Sequence, residues 1–308
     1  MNHQTRSPFA SRTPLVSICI PAYKAERHLE ETLRSVAAQS VTDWELIVTE
    51  DGSADSTEEI VRRFGQTVPQ DVRYTRHEKN RGLPSTRNTG IQAARGTWVA
   101  FLDSDDLWKP HHLEALVGAT RATLVDLVFS GTEWFEDGSG KVVNRSVPSA
   151  ADLGQLPVAL FAGRLSILPS SVMIRRTCFD RFGPISTEYP HVNDTEYWLR
   201  VLKGGGRVAY SGQETCLYRK HTQSMSNRAA ELLADSALLC EKYADWDAIP
   251  RELRKRRPAD LYRWAGKTLF PDNKVEAAKL VRHALRLEPL NPKTLALALR
   301  HWRQMLAA

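Results

Sequence analysis

Short apolar runs alternate with segments of helical spacing over the first 130 residues. The apolar runs, predicted as strands, are VSICI (16–20), WELIVTE (44–50), VRYTRH (72–77) and TWVAFL (97–102). The segments in which apolar residues recur every three or four positions, predicted as helices, are 25–39, 53–64, 84–94 and 110–122. Such alternation predicts an α/β fold, with a mixed, mostly parallel sheet flanked by helices.

The pattern is less regular from residue 125 onward. LVFSG and SSVMIRR are typical of strands, and NDTEYWLRVLK (193–203) of a helix. Two short strands are predicted between Gly206 and about His221, and helices alone after residue 225. Residues 277–302 resemble one tetratricopeptide-like hairpin, a weak match because such repeats usually come in threes or more.

Three segments follow from these patterns. Residues 1–13 are predicted to be a disordered tail, 14–224 an α/β domain with halves at about 14–130 and 131–224, and 225–308 a helical extension. The tail lacks the apolar stretch of a signal peptide. No run reaches the ~20 apolar residues of a membrane-spanning helix. We therefore expect a cytoplasmic protein that reaches a membrane, if at all, from its surface.

Composition adds little to this outline. The formal net charge is +6 and the pI about 9.2, which suits either an anionic partner or a slightly basic soluble surface. Charge alone favours the slightly basic soluble surface. The four cysteines are widely spaced without a CxxC pair, which suggests neither a zinc cluster nor a disulfide framework and fits a reducing cytoplasm. Cys19 is expected to be a small buried hydrophobe.

Polar or turn-forming residues follow three of the predicted strands. They are Pro21-Ala22-Tyr23, Glu50-Asp51-Gly52-Ser53 and Asp103-Ser104-Asp105-Asp106. Ligands of open α/β sheets bind outside the carboxyl ends of the strands, so these residues predict a binding site. Three clustered aspartates suit Mg²⁺ or Mn²⁺, which prefer oxygen ligands. Capping of the next helix is the alternative, but a cap needs one acid and not three.

Two further segments carry candidate chemistry. The loop EKNRGLPSTRNTG (78–90) combines basic residues and a glycine before a helix, which predicts an anion cradle or a solvated basic loop. Asp51 has the chemistry to accept from a base N–H or a sugar hydroxyl. An ordinary Asp-Gly turn is the preferred interpretation of that motif alone.

Together these motifs resemble glycosyltransferase family 2, which has the nucleotide-diphospho-sugar-binding GT-A fold. The matching segments, in the family's order over about 16–226, are IPAY (20–23), EDGS (50–53), NRGLPSTRNTG (80–90), FLDSDDLW (101–108), NDTEYWLRV (193–201), the glycine run 204–206 and YRKHTQSMS (218–226).

The resemblance implies a donor site. The residues implied to bind the nucleotide are Pro21, Ala22, Tyr23, Glu50, Asp51, Arg87 and Asp103. Asp105 matches the metal ligand of the DXD motif, and His221 matches a residue that completes the metal–diphosphate site. The implied cofactor is Mn²⁺ or Mg²⁺.

The resemblance also implies an acceptor side. Asp194 matches the catalytic base of inverting enzymes, with Asn193 in place of the usual Glu; Glu196 and Trp198 are expected beside the acceptor. The alternatives are a helix N-cap for Asp194, a solvated first-turn acid for Glu196 and core packing for Trp198.

The expected function is inverting transfer of a sugar, most simply from a UDP-sugar, to a glycan or lipid-linked glycan in cell-surface polysaccharide, lipopolysaccharide or other glycan assembly. A catalytically inactive nucleotide-sugar-binding relative, acting as a scaffold or regulatory module through its helical tail, is the alternative. Nucleic acid is not an expected partner, because the strand ends are acidic. The basic stretch 251–264 predicts docking on an anionic membrane, or else a solvated helix face.

Overall fold

The computed structural model describes residues 13–121, 124–221 and 228–307. All but the last residue of the predicted tail 1–13 therefore lies outside the described residues. The contacts divide the chain into two units. The first comprises Met1–Ser149, Ser166–Thr187 and Arg200–His221, and the second Ala150–Leu165, Glu188–Leu199 and Thr222–Ala308. The sequence did not predict that segments 150–165 and 188–199 group with the C-terminal helices.

The first unit contains a sheet, which has nine strands within the described ranges. The strands are β1 Val16–Ala22, β2 Trp44–Glu50, β3 Val72–Arg76, β4 Trp98–Phe101, β5 Leu107–Trp108, β6 Leu127–Glu136, β7 Val142–Ser146, β8 Val172–Arg175 and β9 Val208–Lys220. Their order is β3-β2-β1-β4-β8-β6-β9-β5, with β7 paired to β6. The strands β3, β2, β1 and β4 are parallel, as are β6 and β9, whereas β5, β7 and β8 run antiparallel to their neighbours. The predicted mixed α/β sheet is confirmed.

The helices of the first unit follow the predicted alternation. They are α1 Leu29–Ala37, α2 Thr57–Gly65, α3 Leu83–Ala93, α4 His112–Ala119 and α7 Cys178–Phe182. Every residue of β1 and β2 is buried, because helices cover parallel strands on both faces. Cys19 is 2% exposed, as expected of a small core residue.

The two short strands predicted before His221 form a single strand, β9, so that prediction was wrong. A bulge interrupts the pattern instead: Phe129 pairs with Tyr210, whereas Gly131 pairs with Glu214. Gly212 lies in this bulge with φ +77°, a conformation that glycine adopts without a steric cost. β9 therefore continues through the bulge as one strand that ends at Lys220, although its apolar pattern is interrupted there.

The second unit is helical wherever it has regular structure. Its helices are α5 Ala150–Gly154, α6 Leu156–Ala162, α9 Ala229–Lys242, α10 Arg251–Leu269, α11 Lys274–Leu287, α12 Pro292–Arg300 and α13 Trp302–Ala307. Helix α8, Asn193–Lys203, begins in this unit and enters the first at Arg200. The predicted helix–turn–helix of 277–302 is present, and the Asn291 side chain accepts hydrogen bonds from the first backbone N–H groups of α12. Within the described ranges, no helix combines the length and the apolar content needed to cross a bilayer.

The amino-terminal half of the sheet depends on one buried acid. Glu45 is 1% exposed, and its carboxylate accepts hydrogen bonds from Ser17, from the backbone and side chain of Arg95, and from Arg73. Burial by itself raises the pKa of Glu45, but these hydrogen bonds and the charge of Arg73 hold it below the usual value. The ionised carboxylate therefore stabilises the fold above about pH 4.5 and loses that effect as pH falls.

We predict that Glu45→Gln lowers the free energy of unfolding by about 2–3 kcal/mol at pH 7, because an amide N–H₂ would face an arginine. The loss should shrink as pH falls below about 4.5, because the carboxylate of the unfolded chain is protonated first, and shrink further through the lower pKa of the folded state. Urea unfolding at pH 7 and at a pH below about 4.5 measures this difference in the free energy of unfolding. Glu58→Gln is the control, since this exposed acid pairs with Arg62 one turn away and with no other base among the described residues. Equal losses in the two variants would contradict the prediction.

Candidate active site

The polar strand ends identified in the sequence meet at one edge of the sheet. In the parallel register Ala22 pairs with Glu50, and Cys19 pairs with Phe101. The residues that follow β1, β2 and β4 therefore emerge at the same edge. This is the site that the sequence predicted outside the carboxyl ends.

At the end of β1, one of three predicted nucleotide-binding side chains is accessible. Pro21 and Ala22 are buried, whereas Tyr23 is 48% exposed. The next residue, Lys24, has φ 51°, and its backbone N–H donates to Ser53 Oγ over 3.0 Å. This contact fixes the turn that presents the Tyr23 ring to solvent.

Glu50 closes β2 with a carboxylate that is turned into the protein. Its side chain accepts hydrogen bonds from Ser53 Oγ, at 2.6 Å, and from the Tyr74 hydroxyl. Burial and the Glu50 carboxylate together raise the pKa of Tyr74, so its hydroxyl stays a donor. Glu50 thus holds the turn after β2 in place.

Asp51 is also turned inward, at 3% exposure. It accepts hydrogen bonds from His77 Nδ1 at 2.7 Å and from the backbone N–H groups of Arg81 and Gly82 at 2.8 Å each. Burial by itself raises the pKa of Asp51, but these donors outweigh it and the pKa lies below the usual value. The carboxylate is therefore ionised and already solvated by protein donors.

In the loop 78–90, predicted as an anion cradle or a solvated basic loop, the backbone N–H groups of Arg81 and Gly82 donate to the Asp51 carboxylate. Gly52 makes the approach possible: it has φ +73°, and a Cβ on it would lie 2.7 Å from the backbone carbon of Lys79. Lys79 and Arg81 themselves are exposed. The backbone of this loop therefore serves Asp51, which leaves the side chains to meet a ligand.

Arg87 and Asp103 form an ion pair across the edge. Arg87 is 3% exposed on α3 and donates through Nη2 to both carboxylate oxygens of Asp103, at 2.7 and 3.1 Å. The Asp103 side chain keeps 27% of its surface exposed. A buried arginine therefore orients a carboxylate that remains accessible to a ligand.

Asp105 and His221 also meet, as their shared prediction as metal ligands required. His221 Nε2 lies 2.8 Å from Asp105 Oδ2, with the two side chains 12% and 34% exposed. One residue lies before β5 and the other just after β9, and β5 and β9 are paired antiparallel strands. The sheet thus brings together two residues 116 positions apart.

The third acid of the cluster, Asp106, has a different environment. It is 1% exposed and accepts hydrogen bonds from Ser170 Oγ at 2.5 Å and from the Arg219 backbone N–H at 2.9 Å. Burial, followed by the charges of Asp105 and Asp103, raises the pKa of Asp106 well above its usual value. Asp106 therefore neither caps the following helix nor faces solvent.

Arg219 is an organising residue that the sequence did not reveal. Its guanidinium is 5% exposed and donates to the backbone oxygen of Asp105 at 2.7 Å, to Asp137 at 3.0 Å and to Glu31 at 2.6 Å. We call Arg219 and these three partners, with Asp106, the Arg219 network. In the sequence it lies in the short basic run Arg219-Lys220-His221, with no local signal of burial.

His28 is a second residue that the sequence did not single out. Its ring lies 5.4 Å from the His221 ring, and its buried Nε2 has no hydrogen-bond partner among the described residues. Burial, then the charge of Arg219, lowers the pKa of His28, although Asp137 opposes the shift. A neutral imidazole therefore borders the Asp105–His221 pair.

A divalent ion finds a limited set of protein ligands here. Within the described ranges, no three His, Cys, Asp or Glu side chains are grouped closely enough to hold an ion. Asp105 and His221 offer an oxygen and a nitrogen ligand, while Asp103 is paired with Arg87. Such a pair fits Mg²⁺ or Mn²⁺ if the ion takes its other ligands from phosphates and water.

Helix α8 carries the three predicted acceptor-side residues. Asp194 lies half-buried in its first turn, where the helix dipole favours a carboxylate, and accepts a hydrogen bond from the Thr195 backbone N–H. Glu196 is fully buried, with Lys242 Nζ 2.9 Å from its carboxylate, so the solvated alternative was wrong. Trp198 is 2% exposed and packs edge-to-face on Tyr197, as the core-packing alternative held.

Comparison with known proteins agrees with this geometry. Residues 17–180, just over half of the chain, match the model of the family described as glycosyl transferase family 2. A Bacillus subtilis protein named as a teichuronic acid biosynthesis glycosyltransferase, TuaG, is 40% identical over 220 residues, which cover 70% of this chain and 82% of that protein. The Escherichia coli UDP-Glc:α-D-GlcNAc-diphosphoundecaprenol β-1,3-glucosyltransferase WfgD is 30% identical over 222 residues, 71% of this chain and 82% of that protein.

Solved structures add the fold. TarS of S. aureus in complex with UDP-GlcNAc superposes with a TM-score of 0.67 at 17% identity, covering 88% of this chain and 81% of that one. The mannosyltransferase PcManGT of Pyrobaculum calidifontis, in complex with GDP-Man and Mn²⁺, gives 0.63 at 20% identity, covering 96% and 85%. The chain therefore has the GT-A fold, and it belongs to glycosyl transferase family 2.

Proposed function

We propose that this protein transfers a sugar from a nucleoside diphosphate sugar to an acceptor hydroxyl, with inversion at the anomeric carbon. The donor is a UDP-sugar, as in the name of WfgD and in the ligand of TarS. The acceptor is a glycan or lipid-linked glycan in cell-surface polysaccharide, lipopolysaccharide or other glycan assembly. The single observation that carries the proposal is the pair of half-exposed carboxylates, Asp103 and Asp105, that Arg87 and His221 orient at one sheet edge.

The donor pocket uses its residues in two ways. Tyr23 offers an exposed ring on which a base can stack, and Asp103 offers carboxylate oxygens to the ribose or sugar hydroxyls. Arg87 orients Asp103 and adds positive charge toward the diphosphate. The buried members of the predicted set, Glu50 and Asp51, act through the turns they hold, and Pro21 and Ala22 form the floor of the pocket.

The leaving group gains negative charge as the bond between the anomeric carbon and the diphosphate oxygen breaks. Asp105 and His221 would hold an Mn²⁺ or Mg²⁺ ion, which supplies positive charge to the departing diphosphate. Their contact leaves Asp105 partly exposed, as a ligand shared with phosphate oxygens requires.

The acceptor oxygen forms a new bond to the anomeric carbon as the diphosphate leaves from the opposite face. The transition state resembles an oxocarbenium ion, and the acceptor hydroxyl loses its proton as it attacks. Asp194 is the proposed base that takes this proton. Its half-buried carboxylate at the first turn of α8 is an acceptor of hydrogen bonds.

The other two acceptor-side residues are positioning residues in this proposal. The buried pair of Glu196 and Lys242 ties α8 to α9, and Trp198 packs in the core beside Tyr197. Both contacts fix the helix that carries Asp194. Glu196 and Trp198 would therefore affect the acceptor through the position of α8.

The donor proposal predicts metal-dependent binding of UDP. A ligand at about 100 times its dissociation constant stabilises a protein by about 2.7 kcal/mol, enough for a melting shift of several degrees. We expect UDP with Mn²⁺ to shift the wild-type melting temperature and UDP without metal to shift it far less. Asp105→Asn should abolish the metal-dependent part. Differential scanning fluorimetry with UDP, GDP and their sugar conjugates measures it.

Asp71→Asn is the matched control for this experiment. The Asp71 side chain is 36% exposed, close to the value for Asp105, but it precedes β3 at the opposite edge of the sheet. Its variant should keep the full UDP shift. If no nucleotide shifts the wild-type protein with or without Mn²⁺, the donor proposal fails and the inactive scaffold is favoured.

The base proposal predicts that Asp194→Asn loses turnover and keeps donor binding. Removing a general base costs roughly 10²–10⁴-fold in rate. UDP release in the presence of a membrane glycolipid extract measures turnover, and the melting shift with UDP and Mn²⁺ measures binding. Asp152→Asn, a surface acid paired with Arg164 in the same unit, is the control. An Asp194→Asn enzyme with wild-type turnover would assign the base elsewhere.

A further inference from the structure

Helices α12 and α13 expose an apolar stripe that nothing in the described chain covers. Leu295, Leu299 and Trp302 are 38%, 73% and 53% exposed. The spacing of four and three residues places them on one side of nearly continuous helices, because each residue turns the helix by about 100°. Three other apolar side chains of these helices, Leu297, Ala298 and Met305, pack on the small core formed around Phe270.

A basic flank runs beside this stripe. At the same angular step, Arg303 falls next to the apolar side, whereas Arg300 and Lys293 are exposed at about 100° and 120° from Leu299 around the helix. Among the described residues none of these three takes part in an ion pair, and the Arg303 guanidinium lies 5.5 Å from the centre of the Trp302 ring. We call the stripe and its flank the α12–α13 surface.

The charge of the surrounding segment is unlike that of the rest of the chain. Residues 251–308 contain 14 Lys or Arg and 5 Asp or Glu, a net charge of +9. The remaining residues contain 28 and 31, a net charge of −3. The positive charge of the protein is therefore concentrated in the segment that also exposes the apolar stripe.

The stretch 251–264, for which the sequence predicted docking, lacks the apolar half of such a surface. Leu261 and Tyr262 are buried, and Trp264 alone among the bulky apolar side chains interleaved there is exposed. Arg256 and Arg263 pair with Asp260. This part of α10 adds positive charge, and the exposed apolar side chains lie about thirty residues further along the chain.

We propose that the α12–α13 surface docks on an anionic lipid bilayer. A helix that lies in a membrane interface buries its Leu and Trp side chains at the level of the headgroups and keeps Lys and Arg beside the phosphates. A second copy of the chain would bring two segments of charge +9 together. Nucleic acid would leave the leucines and the tryptophan without apolar partners. A bilayer offers an apolar environment to the leucines and the tryptophan and lipid phosphates to the basic side chains.

The experiment is flotation of the full chain with phosphatidylcholine vesicles, with and without phosphatidylglycerol. We expect binding to the anionic vesicles, weak binding to the neutral ones, and a loss of affinity as salt rises. Arg300→Gln with Arg303→Gln should weaken binding about thirty-fold, since each surface charge contributes about fivefold. The triple variant Leu295→Ser, Leu299→Ser and Trp302→Ser should weaken vesicle binding at least about 100-fold.

The control removes the same charge elsewhere. Arg34→Gln with Arg62→Gln replaces two exposed arginines of the first unit and should change binding by less than about two-fold. Equal binding to neutral and anionic vesicles, or wild-type binding by the triple serine variant, overturns the proposal. So does tighter binding to duplex DNA than to vesicles, or a dimer in sedimentation velocity that the triple variant abolishes. These readouts need no turnover and stand apart from the proposed transferase activity.

Discussion

The candidate site depends on the join between β9 and the acidic strand end at 103–106. The backbone N–H of Arg219 donates to the buried carboxylate of Asp106, and its side chain donates to the backbone oxygen of Asp105. Because His221 directly follows β9, this join also sets the position of the histidine opposite Asp105. Without the Arg219 network, Asp105 and Asp106 would lose these donors while their neighbouring carboxylates repel one another.

The acids of the site divide into two groups by burial. Asp51, Glu50 and Asp106 are at most 3% exposed, and each uses its oxygens on donors of the protein. Asp103 and Asp105 keep about a third of their surface and each meets one basic side chain. The first group shapes the turns, and the second is free to exchange part of its solvation for a ligand. A single motif thus contains both a buried acid and two partly exposed acids.

The strands of the sheet, and the edge that carries the candidate site, could be predicted from the sequence because their signals are local. Strands β1, β2 and β4 are continuous apolar runs, and the polar residues directly after them marked the sheet edge. The family resemblance supplied the pairing of Asp105 with His221. Burial was not predictable, since DSDD gives no local sign that Asp106 is enclosed by Ser170 and Arg219, which are distant in sequence. The same holds for Glu196, whose partner Lys242 lies 46 positions away. His28 has no motif at all.

The measurement that tests this account most directly compares carboxylate-to-amide variants at positions 51, 106, 103 and 105. For each, urea unfolding gives the stability and Mn²⁺ electron paramagnetic resonance with UDP gives the affinity of the metal–nucleotide complex. The account predicts that Asp51→Asn and Asp106→Asn change stability more than affinity after correction for the folded fraction. Asp103→Asn and Asp105→Asn should do the reverse. Loss of affinity in all four with unchanged stability would contradict the division between structural and binding acids.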